Sequence, residues 1–461
     1  MPALTVVPVL IYCAALAAVT MSAMRAPAMR TAAAYFLARR NIGPLQLGLS
    51  LFVTTLSAEW VLGAAGVSVW IALIAGGGIG VAVWILAPKL MASRPFTLPQ
   101  FVGWRFDQRT GLILSGASVI FTLGVRIPLI LLAGSAMLQQ LTGWDIAAGS
   151  IILLVASGLV VIAGGCGAMI GGHALQGAIA FAGAAGLAGW MTFGSDFPLK
   201  AAAPARLPVL DLPWPVTLAG AMVIALWYWT GDHFVVQRML AARDLKSIGG
   251  GALIAVVLVV SAAPFLFPLP LQEVGDPALP AAVSGFLACV IIAVVMAALS
   301  GYLHSAASLV TMDFYCARHS AASDARLVRV GRLVSGLLVL TAVAIAVDAG
   351  NAGLSSAFLV QRLQLYLAAP AAALMIAVLF SRRTIARGAV AGLLAGILIE
   401  ATHAAAWLAG PDSVLDGLAG IDTVYVALAA FTVTLAVVFL GGSPATAATP
   451  AGISAVPRPG R

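Results

Sequence analysis

The sequence predicts an all-α multi-pass membrane protein with about 13 transmembrane helices, built as a five-plus-five inverted repeat with broken helices at the midplane. Three observations predict it. The chain is 62% hydrophobic and 9% charged, with a mean hydropathy of +1.07, outside the range of a soluble domain. Apolar runs of about 20 residues, the length that crosses a hydrocarbon core, recur from end to end. Two of these runs, in corresponding positions of two groups of five, are interrupted by polar residues and glycine.

The first run, 3–24, has no basic stretch before it and no small-residue cleavage signal, so it reads as a retained span and not a signal peptide. Runs follow at 44–65, 67–90, 111–139, 146–163 and 171–193, then at 215–236, 250–271, 281–311, 330–349 and 354–380, and last at 387–408 and 423–441. They divide the chain into a leading helix and loop over 1–40, a first five-helix group over 41–195, an external loop over 196–214, a second group over 215–385, two peripheral helices over 386–441 and a tail over 442–461. The external loop is too short to fold alone. The tail, rich in Pro, Ala and Gly, is expected to be disordered and cytoplasmic. No P-loop or ATPase domain interrupts the runs, so transport by this chain would draw on an ion gradient or on the gradient of the solute itself.

Lys and Arg set the orientation. With the N-terminus outside, alternate loops place 20 of the 24 Lys and Arg residues in the cytoplasm, Arg40, Arg94, Arg238, Arg329 and Arg332 among them, against Lys200 and Arg206 outside. The C-terminus is then cytoplasmic, the membrane is expected to be a bacterial inner membrane, and the lipid bilayer is the chain's principal partner. The net charge of +8 describes topology, and no basic surface with interleaved aromatics points to nucleic acid. Cys13, Cys166, Cys289 and Cys316 lack metal-ligand spacing and read as small apolar packing groups. No metal centre or organic cofactor is expected beyond a coupling ion. A channel would carry a repeated filter or a charge ring, and neither is found. An enzyme is not expected either, because Ser57, Glu59 and His173 form no recognisable nucleophile and base set.

Arg126 and Arg362 belong to neither face. With Glu59 and Asp232 they make four ionisable residues inside apolar runs, where charge is costly and marks function. Glu59 lies in the interruption Ser57, Ala58, Glu59, Trp60 of the first group, and Asp232 in Thr230, Gly231, Asp232, His233 of the second. Broken helices expose amides and carbonyls that replace the hydration shell of a small ion or an ionic group. Two groups of opposite entry with breaks in matched positions therefore predict a transporter that alternates access to a central site.

The pieces LSAEWVLGAAG at 56–66, FTLPQFVGWRF at 96–106, GGCGAMIGGHALQG at 164–177, WTGDHFVVQRMLAARD at 229–244, LHSAASLVTMDFY at 303–315 and PAAALMIAVLFSRRTIARGA at 370–389 occur in an order that resembles the solute:sodium symporter family, which includes sodium/galactose and sodium/proline symporters. The resemblance covers about Asn41 to Arg387. It implies the five-plus-five fold with one leading and two trailing helices, and alternating access. It also implies a sodium ion between the first broken helix and the eighth core span, held by backbone carbonyls at Val53, Leu56 and Val294 and by two adjacent hydroxyl residues. Those hydroxyl positions fall on Ala297 and Ala298, so two oxygens are missing for a hard cation that wants five or six. A slip of one helical turn would bring Ser300 into the site.

Where the family carries Thr-Asp after paired glycines, this chain has Gly172 and His173, with Gln176 kept. His173, with His233, could couple protons in place of sodium; the alternative is a neutral, hydrogen-bonded core histidine. At the substrate positions the polar groups of sugar-transporting relatives are replaced by Trp60 and by Gly76, Gly77, Gly78 and Ile79, which cannot satisfy a large polyol. Arg362, with Gln361 beside it, falls near a substrate-facing position, and Arg126 lies mid-span. A guanidinium matches a carboxylate with paired hydrogen bonds, so a small organic anion, a monocarboxylate or amino acid, is the expected solute. The alternative is that Arg126 and Arg362 neutralise Glu59 and Asp232. Glu400 and His403, one turn apart in a peripheral run, are expected to pair with each other or to reach the interface. The function expected is symport driven by sodium or protons, and the alternative is an uncoupled or sensory solute-binding protein on the same fold.

Overall fold

The computed structural model describes residues 3–25, 30–56, 78–193, 212–266, 281–351, 365–381, 386–409 and 416–441. Within them the elements are helices α1 (Ala3–Met24), α2 (Ala32–Leu37), α3 (Pro44–Thr55), α4 (Gly78–Ser93), α5 (Leu98–Arg105), α6 (Gln108–Phe121), α7 (Ile127–Thr142), α8 (Ile146–Phe193), α9 (Trp214–Leu226), α10 (His233–Leu240), α11 (Leu245–Leu266), α12 (Ala281–Leu309), α13 (Asp324–Asn351), α14 (Ala368–Phe380), α15 (Ala386–Ala409) and α16 (Thr423–Leu440). Among the described residues 8 helical segments are long and apolar enough to cross a membrane, and three further apolar helices, Pro44–Thr55, Gly78–Ser93 and Ala368–Phe380, are shorter. The all-helical membrane fold agrees with the prediction, and the described residues do not confirm a count of 13.

The departures have local causes. The runs at 146–163 and 171–193 are not separated by a loop; they join in α8, which turns at Gly165 with φ 55 and ψ −150. Only glycine enters that backbone region at low cost, and a side chain there would also press on the Tyr35 carbonyl and ring of α2. The run at 111–139 is α6 and α7 joined by a π turn, Thr122–Arg126. A π turn inserts one residue into the helical register and so re-aims the side chains beyond it.

α12 runs through the interior. It packs on α8, α1, α7 and α13, and 89% of its most apolar stretch is buried inside the protein. The short α3 lies against α11 and α8 and also meets α12. α14 packs on α16 and on the turn after α9, while α15 and α16 pack on each other at the periphery. On the side of the loops, Arg40 donates to the carbonyls of Leu240, Arg94 and Pro95, at 3.1, 3.0 and 2.7 Å, and ties three connections together. Burial and the neighbouring Arg94 hold its guanidinium down to about 10.

Candidate functional site

The interruption predicted at 230–233 is present. α9 passes through a π turn, Trp227–Gly231, and stops at Asp232, whose backbone is extended with φ −89 and ψ 112. Asp232 Oδ1 accepts from the Phe234 amide at 3.1 Å and caps α10. Its other oxygen, Oδ2, accepts from Arg126 Nη2 at 2.7 Å. The pair is withdrawn from solvent, with Arg126 5% and Asp232 7% exposed. Four rings surround the guanidinium: Trp227 at 4.7 Å, Tyr302 at 5.1 Å, Phe121 at 5.4 Å and Phe234 at 5.8 Å. Ring faces carry negative potential and favour a cation, so rings and carboxylate hold Arg126 together. Of the two pairing partners left open for Arg126, the structure places it on Asp232. His233, the next residue, points elsewhere: it is buried and its Nδ1 accepts from the Leu98 amide of α5 at 3.3 Å.

The residues of the implied ion site gather between α3 and α12. Val53, Leu56, Val294 and Ala297 belong to one buried apolar cluster that also holds Phe52 and Val290, and Ala298 is buried in the main core beside it. Directly next to this cluster runs a chain of polar contacts across three helices. Arg238 Nε donates to Ser50 Oγ on α3 at 3.0 Å. Ser50 Oγ lies 2.9 Å from His173 Nδ1 on α8, and His173 Nε2 lies 3.0 Å from Ser300 Oγ on α12. Ser300 donates to the Ala297 carbonyl at 3.2 Å. Since Ser300 spends its proton on the Ala297 carbonyl, it accepts from Nε2–H, and Nδ1 of the neutral ring then accepts the Ser50 proton. The contacts thus assign the neutral Nε2–H tautomer, with both ring nitrogens satisfied. His173 bridges the two helices that would clamp the ion, and Ser300 enters the neighbourhood through His173.

Arg238 departs most from the sequence reading. Placed by charge counting in a cytoplasmic loop, it is instead 0% exposed on α10. The apolar turns around it are short, so a span-length window does not reveal its depth. Its guanidinium lies 4.1 Å from the Phe234 ring, Nη1 donates to the Phe234 carbonyl, and it forms no ion pair among the described residues. It crosses α12 at Gly301, where a β-carbon would approach Nη2 to 2.8 Å. Thr55 at the end of α3 contacts Tyr228 of the π turn at 3.4 Å and links α3 to the helix break at Asp232. A hydroxyl or guanidinium in an apolar run was the available signal for Ser50, Thr55 and Arg238, but it does not say which helices they join.

Glu400 and His403 neither pair with each other nor reach an interface; both are buried. Glu400 Oε2 accepts from the Leu367 amide at 2.8 Å, at the start of α14. His403 Nδ1 meets Tyr366 OH at 2.6 Å and its Nε2 meets the Ile421 carbonyl at 3.0 Å. The physical reason is that α14 begins from a left-handed Leu367, φ 70, with no cap of its own, and α15 supplies one. Asp313, in the π turn after α12, accepts from Thr97 at 2.7 Å and from Ser115, joining α12 to α5 and α6. Glu59, Trp60, Gln361 and Arg362, with Gly76 and Gly77, lie outside the described residues.

Among the described residues the frame is helical, and one helix is broken at a buried carboxylate, Asp232, a feature that secondary transporters place at their central site. Residues 35–273 and 273–396 match the sodium:solute symporter family, and the chain belongs to it. The sodium/mannose cotransporter of Bos taurus is 28% identical over 426 residues, covering 78% of this chain and 71% of that one. The sodium/myo-inositol cotransporter 2 of Homo sapiens is 28% identical over 445 residues, covering 80% and 65%, and the sodium/glucose cotransporter 1 of Oryctolagus cuniculus 25% over 510 residues, covering 93% and 77%. Among solved structures, a sodium-coupled sialic acid symporter in a substrate-bound, outward-open state superposes with a TM-score of 0.79 over 96% of this chain and 99% of that one, at 19% identity. A nucleobase-cation-symport-1 family transporter in a closed conformation gives 0.53 at 15% identity, over 91% and 96%. These likenesses carry the fold.

Proposed function

We propose that this protein is a sodium-coupled symporter that imports a small neutral organic solute by alternating access. The observation that carries the choice of a neutral solute is the engagement of Arg126 by Asp232 inside four aromatic rings. A guanidinium already matched to a carboxylate and stacked on rings is a poor receptor for a second anion. The relatives named for mannose, myo-inositol and glucose carry uncharged polyols, which is consistent with that choice. Sodium would bind between the end of α3 and α12, using carbonyl oxygens around Val53, Leu56, Val294 and Ala297, with His173 and Ser300 setting the spacing of the two helices. In this reading 41–195 and 215–385 are the two repeats and 386–441 supports them, with the N-terminus outside and the C-terminus in the cytoplasm of a bacterial cell.

A second reading keeps the anionic solute, a monocarboxylate or amino acid, and rests on Arg362, a further cation inside an apolar run. A thermal-shift panel of neutral polyols, nucleosides, amino acids and monocarboxylates, each with and without sodium, separates them, because a ligand stabilises the state it occupies. Sodium-dependent stabilisation by a neutral solute supports the proposal, and stabilisation by carboxylates alone replaces it with the anionic reading. Proteoliposome uptake then tests coupling: saturable binding with no sodium-driven flux would make the protein a sensor on this fold.

A further inference from the structure

We propose that a groove between α8 and α13 on the membrane-facing surface is a binding site for an anionic phospholipid, with one acyl chain in the groove and the phosphate on Arg332. The groove has a volume of about 430 Å3 and is lined by Val155, Leu159 and Ile162 of α8 and by Leu333, Leu337 and Leu340 of α13. Its shape follows from two glycines. At Gly158 the helices touch, since a β-carbon there would strike Val339. At Gly336 no atom lies within 4 Å of the place a β-carbon would take, and that missing side chain leaves the groove open. The leucines along α13 are largely bare, Leu333 64% and Leu340 68% exposed, as befits a surface solvated by acyl chains.

Arg332 is the one charged residue in this lining, and its position is built. Tyr35 OH donates to the Val161 carbonyl at 3.2 Å on α8, and the Tyr35 ring stands 5.7 Å from the Arg332 guanidinium. Arg332 is thereby held at the Ile162 end of the groove. It forms no ion pair among the described residues, so its charge is open to a counter-ion. Arg332 sits eight residues into α13, and Leu340 about 12 Å deeper at 1.5 Å per residue. A cation at the rim and an apolar slot below it match a headgroup phosphate above an acyl chain, the pattern of basic lipid sites between helices.

The test is native mass spectrometry of the full-length protein in detergent with an equimolar mixture of phosphatidylglycerol and phosphatidylcholine of matched chains. Preferential retention of phosphatidylglycerol by about fivefold is expected, the scale of one cation near an anionic headgroup. Arg332→Gln, at an exposed position, removes the charge together with its contact to the Tyr35 ring and should bring the ratio to about one. Gly336→Phe fills the slot and should lower retention of both lipids with Arg332 still present, and Arg329→Gln, outside the groove, should change nothing. Equal retention of the two lipids by the unmodified protein overturns the proposal. So does an Arg329→Gln effect as large as that of Arg332→Gln, which would mark a diffuse basic surface, or a lipid-free dimer that dissociates on Gly336→Phe, which would make a second copy the occupant.

Discussion

Arg126 and Asp232, 106 residues apart in the chain, meet at 2.7 Å with the guanidinium enclosed by Phe121, Trp227, Phe234 and Tyr302. The contact joins a π turn in the first half of the chain to the helix break in the second. Removing one partner of such a pair strands the other charge in an apolar place, at a cost of about 3–5 kcal/mol. Asp232→Asn and Arg126→Gln should therefore each lower the melting temperature in detergent more than the double variant does. Additive losses, read by differential scanning fluorimetry, would show that the two charges are energetically independent.

The alanines at 297 and 298 lie where two hydroxyls are implied. Restoring them with Ala297→Ser and Ala298→Ser should lower the sodium concentration that half-saturates the thermal shift. Each added oxygen on a charged partner contributes about 1.5 kcal/mol, so about tenfold is expected for each substitution. An unchanged sodium midpoint would place the ion elsewhere.

His173, satisfied on both nitrogens as the neutral tautomer, acts in this reading as a bridge and not as a proton carrier. A pH gradient without sodium should drive no uptake of the solute that the ligand panel identifies, and His173→Gln, which keeps a donor and an acceptor, should retain sodium-driven uptake. His173→Ala should destabilise the fold, since it removes one hydrogen bond from each of Ser50 and Ser300, which keep Arg238 and the Ala297 carbonyl, at about 1 kcal/mol per bond. Proton-driven uptake that disappears in His173→Gln would reverse the assignment.

Glu400 supplies the cap that α14 lacks. Glu400→Ala should speed amide hydrogen exchange at the start of α14, consistent with loss of a cap contributing about 1 kcal/mol, and Glu400→Gln, which still presents an oxygen, should restore the slow rate. Equal exchange in all three proteins would remove Glu400 from this role.

Gly165 combines φ 55 with the nearby Tyr35 carbonyl. Gly165→Ala should cost about 1–3 kcal/mol for the strained backbone, visible as reduced melting temperature and reduced yield of monodisperse protein. Gly167, with nothing within 4 Å of its β-carbon position, is the control, and Gly167→Ala should be near neutral.

The sequence by itself determined that this is a helical membrane protein of the sodium:solute symporter family. Span length and hydropathy are local properties, and the break at Thr230–His233, with its glycine and its capping aspartate, is written in adjacent residues. It also located Val53, Leu56, Val294 and Ala297 as neighbours, because the family resemblance supplied a frame. Only the tertiary structure decided which buried charges face each other. Arg126 chose Asp232, Arg238 left the loop for the core, and Glu400 turned from His403 to the Leu367 amide. Each of these depends on the rotation of one helix about its axis relative to another. A π turn, a glycine contact or a kink resets that rotation by a fraction of a turn, and the apolar periodicity of a membrane span, nearly uniform all round, does not record it.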